Sequence, residues 1–276
     1  MPALSEADRQ HCLERGRSPG SIFFLAHRFM PATLQEPLLV LQALLSEIRG
    51  IPFAVTDPAV ALAKLGWWQQ ELSDPNRDQS QHPVVRSGVA SGLFDCTGGQ
   101  VLDAYLLAVG QLVRGEPLED RESLHQISRD IGGAEVRMMA SLERAEIGTH
   151  ATEAVGGAML LAQFLERFPA QLSGGCWWLP MRDQARYSLS LSAVQADPRT
   201  KEASKAMRSV GADALSMAQV AGEMLDQAGS AAGRVIPVQL AVLRRRLLRI
   251  RSRPLAFDRR GSMSEVLAAW RAATRR

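Results

Sequence analysis

The sequence predicts an all-α fold, and three observations lead to that class. Leucine and alanine dominate the apolar residues, whereas aromatic residues make up only 5% of the 276 residues. That balance favours helices over strands. Apolar residues recur at helical spacing between proline and glycine breaks. Alternating runs of five or more residues, the pattern of a half-buried strand, do not occur.

Helix boundaries are predicted from capping residues and breakers, taken from the N-terminus. The first strong helix is expected to have Thr33 as its N-cap and to stop at Gly50 and Pro52. The second is expected to begin with Asp57 as N-cap and Pro58 at the first helical position. Further helices are predicted over residues 83–89, 100–113, 123–142, 152–168, 181–191, 201–228, 236–251 and 264–273.

The chain is expected to form a single domain over residues 1–276, with residues 1–19 flexible. Its length is ample for one sizeable core, and no repeat or low-complexity segment divides it. Three cysteines, Cys12, Cys96 and Cys176, lack the spacing of a zinc site or a disulfide framework. Neither these cysteines nor the histidines predict a metal site. With no signal peptide recognisable, the expected location is cytoplasmic, with peripheral attachment to the inner membrane as an option.

The C-terminal end is strongly basic. Residues 234–276 contain 12 arginines against two acidic residues, a local net charge of +10, so residues 1–233 carry −7 of the overall +3. This asymmetry predicts an anionic partner. Nucleic acid is not expected, because no binding motif or aromatic interleaving accompanies the charge. The candidate side chains for contact with an anionic membrane or a partner are Arg244, Arg245, Arg246 and Arg249.

The same C-terminal segment carries an apolar stripe at helical spacing, formed by Leu240, Leu243, Leu247 and Ile250. Two interpretations follow. The helix can lie on an anionic membrane with its arginines toward the headgroups. Alternatively, it is a final bundle helix whose stripe packs in the core and whose arginines are solvated, and this interpretation is favoured for the stripe.

Two glycine pairs suggest a close contact between helices. Gly132-Gly133 and Gly156-Gly157 each lie within a predicted helix and follow no strand. A phosphate-binding glycine loop needs a preceding strand, so these pairs are not typical of a dinucleotide site. They predict instead that the two helices approach each other closely.

Several short segments, through their order and spacing, resemble squalene/phytoene synthases. They are residues 21–24 with 29–31, residues 65–72 (Leu-Gly-Trp-Trp-Gln-Gln-Glu-Leu) followed by 82–84, residues 176–180 (Cys-Trp-Trp-Leu-Pro), and residues 237–250. The resemblance implies a helical isoprenoid-synthase fold. It also implies the family's chemistry, which is Mg²⁺-assisted head-to-head condensation of two prenyl diphosphates.

The aspartates of that chemistry are missing here. The family holds Mg²⁺ with carboxylates on two facing helices, and at the first pair this chain has Arg49 and Phe53. In the second motif helix, Gln163 is followed by Arg167 and Gln171, the latter two at aspartate positions. The resemblance makes these five residues the candidate cavity lining. No metal ligand is predicted, and the family's cavity tyrosine is also absent.

Two arginines in place of carboxylates are expected to make the site positive and to repel Mg²⁺. Arg49 and Arg167 are expected to face each other across a central cavity. Either they bind a diphosphate directly through their guanidinium groups, or they are solvated arginines at helix ends near a closed cavity. The sequence leaves both alternatives open.

Residues 46–51, 55–58 and the Trp-Trp segment are similar to the family branch that contains a mitochondrial assembly factor of respiratory complex I. This resemblance implies a non-catalytic factor at the membrane, with a respiratory-complex client or another protein as partner, or with an isoprenoid diphosphate as ligand. The alternative is a divergent prenyltransferase, which would need Mg²⁺; otherwise no cofactor is expected. A third possibility is an adaptor whose basic end holds an acidic protein.

Overall fold

A computed structural model describes residues 4–55, 57–173, 177–255 and 261–274, without the side chains of residues 169–171 and 173. Over this part of the chain the structure is helical and has no β-strand, which confirms the predicted all-α class. Its α-helices are α1 (Glu6–Gly16), α2 (Ile22–His27), α3 (Ala32–Ala54), α4 (Pro58–Ser73), α5 (Pro83–Ala90), α6 (Leu93–Cys96), α7 (Gly99–Arg114), α8 (Arg121–Glu143), α9 (Thr149–Ser173), α10 (Met181–Arg186), α11 (Leu191–Ala196), α12 (Lys201–Ala228), α13 (Val235–Ser252) and α14 (Met263–Thr274).

The buried apolar residues form one hydrophobic cluster that extends from Cys12 in α1 to Ala269 in α14. Among the described helices, α3 alone is long and apolar enough to cross a membrane. However, 56% of its apolar window is buried inside the fold, and a buried apolar helix is also what the core of a globular protein requires. Its composition is therefore explained by its packing.

The closest helix contact is the crossing of α8 and α9, where the two glycine pairs meet. A Cβ atom placed on Gly132 would lie 2.0 Å from the carbonyl oxygen of Gly156. One placed on Gly156 would lie 2.0 Å from the carbonyl carbon of Gly132. Only glycine permits backbones to approach this closely, so the predicted close contact is confirmed.

The helix boundaries show where capping signals succeed and where packing overrides them. Asp57 caps α4 as predicted, and its Oδ1 accepts a hydrogen bond from the Ala59 N–H at 2.8 Å. Thr33 does not cap α3, which begins at Ala32 without a side-chain cap. That helix also continues past Pro52 to Ala54, after which the Val55 N–H donates to the Ile51 carbonyl oxygen at 3.1 Å. The helix predicted over residues 181–191 ends at Arg186 as α10, and a separate short helix, α11, begins at Leu191.

The N-terminal segment differs from expectation. Of residues 1–19, Glu6–Gly16 forms α1, which packs against α3 and α5. Cys12 is completely buried there, and Asp8 forms a two-pronged ion pair with Arg86 of α5. The segment predicted to be flexible thus contains a packed helix, which the sequence analysis did not predict because α1 buries few apolar residues.

Candidate functional site

A small inner cavity lies where the two motif helices, α3 and α9, meet α8 and the segment before α2. Its volume is about 70 Å³. The charged and amide side chains that line it are Gln42, Arg49, Glu135, Gln163, Glu166 and Arg167. Three of the five candidate lining residues, Arg49, Gln163 and Arg167, therefore border one cavity.

The other two candidate lining residues, Phe53 and Gln171, are not found among the side chains that line this cavity in the described structure. Phe53 does not line this cavity; its ring lies 5.3 Å from that of Trp178, which also stacks on Phe164 at 5.4 Å. Phe53 thus belongs to an aromatic cluster, because it lies one helical turn beyond Arg49. The side chain of Gln171 lies outside the described part of the structure, although its backbone belongs to α9.

Arg49 is buried, with only 4% of its surface exposed. Its Nη1 forms an ion pair with Oε1 of Glu135 on α8. The alternative of a solvated arginine at a helix end is therefore wrong for Arg49. The guanidinium of Arg49 is therefore held by an internal carboxylate.

Tyr105 of α7 completes this group. Its hydroxyl lies 3.2 Å from Glu135 Oε1 and 3.0 Å from the Leu45 carbonyl oxygen, so it can donate to either acceptor. Burial raises the pKa of Tyr105 well above its ordinary value, and the charge of Glu135 raises it further. Burial alone would lower the pKa of Arg49, but attraction to Glu135 outweighs it and the pKa is raised. At neutral pH the arginine is thus charged and the tyrosine is a hydrogen-bond donor.

The electrostatics of the cavity differ from the expected positive site. Arg49 and Arg167 are accompanied by Glu135 and Glu166 in the lining, so the formal charges cancel. The expectation of a net positive field was wrong because both carboxylates are contributed outside the aligned aspartate positions. They belong to α8 and to the middle of α9.

The residues of the cavity do not fit the Mg²⁺ ions that the resemblance implies. A hard divalent cation needs several carboxylate oxygens directed at one point. Glu135 is paired with Arg49, and Glu166 accepts a hydrogen bond from Arg246 at 2.8 Å. Among the described residues, no group of three or more His, Cys, Asp or Glu side chains is placed to hold a metal ion.

A second buried cluster centres on Arg246 of α13, and it corrects the predicted membrane contact. Arg246 is completely buried. It binds Glu265 of α14 with two nitrogens, at 3.1 and 2.9 Å. Its Nη1 reaches Glu166, and its Nη2 donates to the Gly20 carbonyl oxygen at 2.6 Å. Arg246 therefore joins the C-terminal helices to the rest of the fold and cannot contact a membrane.

The other three arginines predicted to contact a membrane differ in their exposure. Arg244 and Arg245 are exposed, whereas Arg249 is partly buried and binds Glu265 at 2.6 Å. The apolar stripe on α13 is buried, with Leu240, Leu243, Leu247 and Ile250 each at most 4% exposed. The interpretation of α13 as a bundle helix is confirmed for its stripe.

A larger concave region lies elsewhere on the described structure. It is an open groove of about 1080 Å³ between the ends of α8, α12 and α13. Its central carboxylate is already engaged, because Glu143 accepts hydrogen bonds from the N–H groups of Arg234 and Val235 at 2.7 and 2.9 Å. That carboxylate caps α13, and we assign the groove no chemistry.

Sequence reasoning missed Glu135, Tyr105, Glu166 and Glu265 as partners of the arginines. A signal was present for Glu135, which lies on the α8 face that also carries the buried Ile131 and Met139. A charged residue inside an apolar stripe indicates a buried pair. Which arginine would meet it could not be deduced, because 86 residues separate Arg49 from Glu135.

The fold and the sequence were compared with known proteins. The family model for squalene/phytoene synthase matches residues 17–267. A solved dehydrosqualene synthase in complex with a ligand is similar, with a TM-score of 0.74 and 16% identity over 97% of this chain and 95% of that one. Squalene synthase HpnC from Alicyclobacillus acidocaldarius aligns with a TM-score of 0.70 and 16% identity over 90% and 94% of the two chains. No curated protein sequence matched significantly.

Proposed function

Because the chain belongs to the squalene/phytoene synthase family, we propose that it is a non-catalytic member that keeps the fold and acts by binding at a membrane surface. The observation that carries the proposal is the Arg49–Glu135 ion pair, in which a buried guanidinium stands where the family places a metal-binding aspartate. The pair supplies its own charge compensation, so the cavity has no need of a cation.

The size of the cavity supports the same proposal. Sites for small-molecule ligands usually enclose about 300–1,000 Å³, whereas this cavity encloses about 70 Å³. A prenyl chain could enter only if the Arg49–Glu135–Tyr105 group moved. Breaking a buried ion pair costs about 3–5 kcal/mol, which a substrate without a bound metal would have to supply. Binding of an isoprenoid diphosphate in this cavity is therefore the less supported form of the ligand-binding hypothesis.

A role in assembly fits a fold whose inner site is closed. We propose a protein client of the respiratory-complex type, on the strength of the branch resemblance in residues 46–51 and 55–58. The exposed Arg244 and Arg245 supply positive charge at the surface for a client or for anionic lipid. The adaptor hypothesis shares these arginines, and co-purification with and without their replacement by glutamine separates binding through them from binding elsewhere.

The direct test is turnover. Purified protein is incubated with farnesyl or geranylgeranyl diphosphate and Mg²⁺, and pyrophosphate release is measured against a boiled sample and an active family member. We expect no release above the boiled control. Turnover at about 1 s⁻¹, the low end for typical enzymes, would establish the alternative, a divergent prenyltransferase, and refute this proposal.

A further inference from the structure

The outer face of α14 is apolar and uncovered. Met263, Leu267 and Trp270 are 73%, 44% and 51% exposed. Their spacing of four and three residues places them on one side of the helix. The opposite side carries Glu265 and Ala269, both completely buried. The helix is therefore fixed to the fold by one face and presents apolar side chains on the other, and we name these three residues the α14 stripe.

This arrangement differs from the scattered apolar residues elsewhere on the described surface. Leu107 and Val220 are also exposed, at 65% and 43%, but each is the single such residue on its helix. α4 exposes Val60, Leu62 and Trp67, of which Leu62 points about 200° away from Val60. Single exposed apolar residues are common, whereas a contiguous apolar face indicates an interaction site.

Exposed arginines occur on α14 itself and on the helix that packs against it. Arg271 follows Trp270 directly and is exposed. The neighbouring helix α13, which packs on α14, exposes Arg244, Arg245 and Arg251. The main nearby carboxylate, Glu265, is buried in contact with Arg246 and Arg249. It therefore neutralises inner arginines and leaves the charge of the exposed ones available to an anionic partner.

We propose that the α14 stripe docks on an anionic lipid bilayer, with Met263, Leu267 and Trp270 at the level of the headgroups. An amphipathic helix with a tryptophan-containing apolar face and arginines beside it suits the membrane interface. Tryptophan favours that boundary because one edge of its ring is apolar and the other donates a hydrogen bond. Arginines near the surface add attraction to anionic lipid.

This proposal names the surface that the proposed function leaves general, and it rests on that function only for a membrane role. It moves the contact from the arginine run of α13 to α14, since the apolar stripe of α13 is buried. Turnover is measured without lipid, so the proposed lack of catalysis and the proposed docking on lipid can fail independently of each other.

The test is co-sedimentation of the full chain with vesicles. One set contains phosphatidylglycerol and phosphatidylcholine, and the other contains phosphatidylcholine alone. The stripe variant is Met263→Gln/Leu267→Gln/Trp270→Gln. The matched control, Leu62→Gln/Leu107→Gln/Val220→Gln, removes three exposed apolar residues from other helices. Thermal melting followed by circular dichroism establishes that both variants are folded.

We expect the wild type and the control to bind anionic vesicles equally, within about twofold. The stripe variant should bind at least about tenfold more weakly, from the apolar area it no longer buries. Binding should also fall as salt rises from about 0.1 M to about 1 M, since the Debye length shortens from about 10 Å to about 3 Å. Replacing Arg244 and Arg245 with glutamine should weaken binding more than replacing the equally exposed Arg9 and Arg208.

Three results would overturn the proposal. The first is a wild type that does not sediment with anionic vesicles at low salt. The second is a stripe variant that binds as well as the matched control. The third is a wild-type dimer that the stripe variant converts to a monomer without any vesicle binding, which would assign the α14 stripe to a second copy of the chain.

Discussion

The two buried arginine clusters have similar chemistry but occupy different places in the fold. Arg49 pairs with Glu135 beside the inner cavity, with Tyr105 as the neighbouring donor. Arg246 binds Glu265, Glu166 and the Gly20 carbonyl where the C-terminal helices meet the rest of the chain. The first cluster lines the cavity between α3 and α9, whereas the second joins the C-terminal helices to the rest of the fold.

The two clusters illustrate one requirement of buried charge. A buried charge needs a partner wherever it lies. An arginine at an aspartate position therefore requires a carboxylate nearby, and Glu135 provides it from another helix. The pair thus involves two helices, and Arg49→Asp would be unfavourable because it would place two carboxylates side by side.

The largest expected effect is at the structural connection. Arg246→Met would remove the cation that Glu166 shares with the completely buried Glu265, and the donor to the Gly20 carbonyl oxygen, although Glu265 would keep its contact with Arg249. We expect a loss of about 4–5 kcal/mol in the free energy of unfolding, at the upper end for a broken buried pair. Chemical denaturation would measure it. The exposed neighbour provides the control, since Arg245→Met should change stability by less than about 0.5 kcal/mol, and equal losses would contradict the distinction.

The next effect is at the inner cavity. Arg49→Met should cost about 3 kcal/mol, nearer the lower end of the same range, because the Tyr105 hydroxyl can still donate to Glu135. The double variant Arg49→Met/Glu135→Leu removes both charges and should recover most of that loss. Denaturation of the two single variants and the double variant gives the coupling energy. Additive losses would show that the two side chains do not interact.

A smaller effect is expected at the hydroxyl that joins the inner group. Tyr105→Phe removes one hydrogen-bond donor and keeps the ring, so it should cost about 0.5–1.5 kcal/mol. The same substitution made in an Arg49→Met background should cost more, because there Tyr105 is the principal remaining donor to Glu135. Denaturation curves for the four chains decide this, and an equal cost in both backgrounds would exclude the hydroxyl from the cluster.

The smallest expected effect is the dependence of stability on alkaline pH, which Tyr105 gives to the Arg49–Glu135 cluster. Burial, together with the charge of Glu135, holds the folded-state pKa of Tyr105 well above its ordinary value of about 10, so its contribution to stability is complete below that pH. It is lost as the pH rises, because the unfolded chain then releases a proton that the folded chain retains. Unfolding free energies of wild type and Tyr105→Phe should thus converge above about pH 10. Tyrosinate absorbance in a Tyr187→Phe background isolates the ionisation of Tyr105, and its titration at the ordinary pH would contradict this.

Much of the fold could be predicted from the sequence, because it depends on local signals. Helix periodicity, the Asp57 cap and the two glycine pairs each act over a few residues or at one crossing. The lack of aspartates could also be recognised from the sequence, since the resemblance aligns Arg49 and Arg167 with aspartate positions of the two motifs. Their neutralising carboxylates were not, because pairing across 86 residues depends on how helices pack.

The arginines at 244–246 also show what the sequence could and could not predict. Three consecutive arginines read as one basic surface, yet successive helical positions point about 100° apart. Arg246 lies four residues before the buried Ile250 and three after the buried Leu243, so it faces inward, while Arg244 and Arg245 face solvent. A helical projection could have separated them, although the identity of Glu265 as partner required the fold.

Binding of a prenyl diphosphate tests the central claim most directly. The wild-type protein is titrated calorimetrically with farnesyl diphosphate in the presence and absence of Mg²⁺, beside an active family member. With the inner cavity occupied by the Arg49–Glu135 pair, we predict no saturable heat that depends on Mg²⁺. Saturable, Mg²⁺-dependent binding that is lost in a folded Gln163→Leu variant would place a substrate in that cavity and contradict the account.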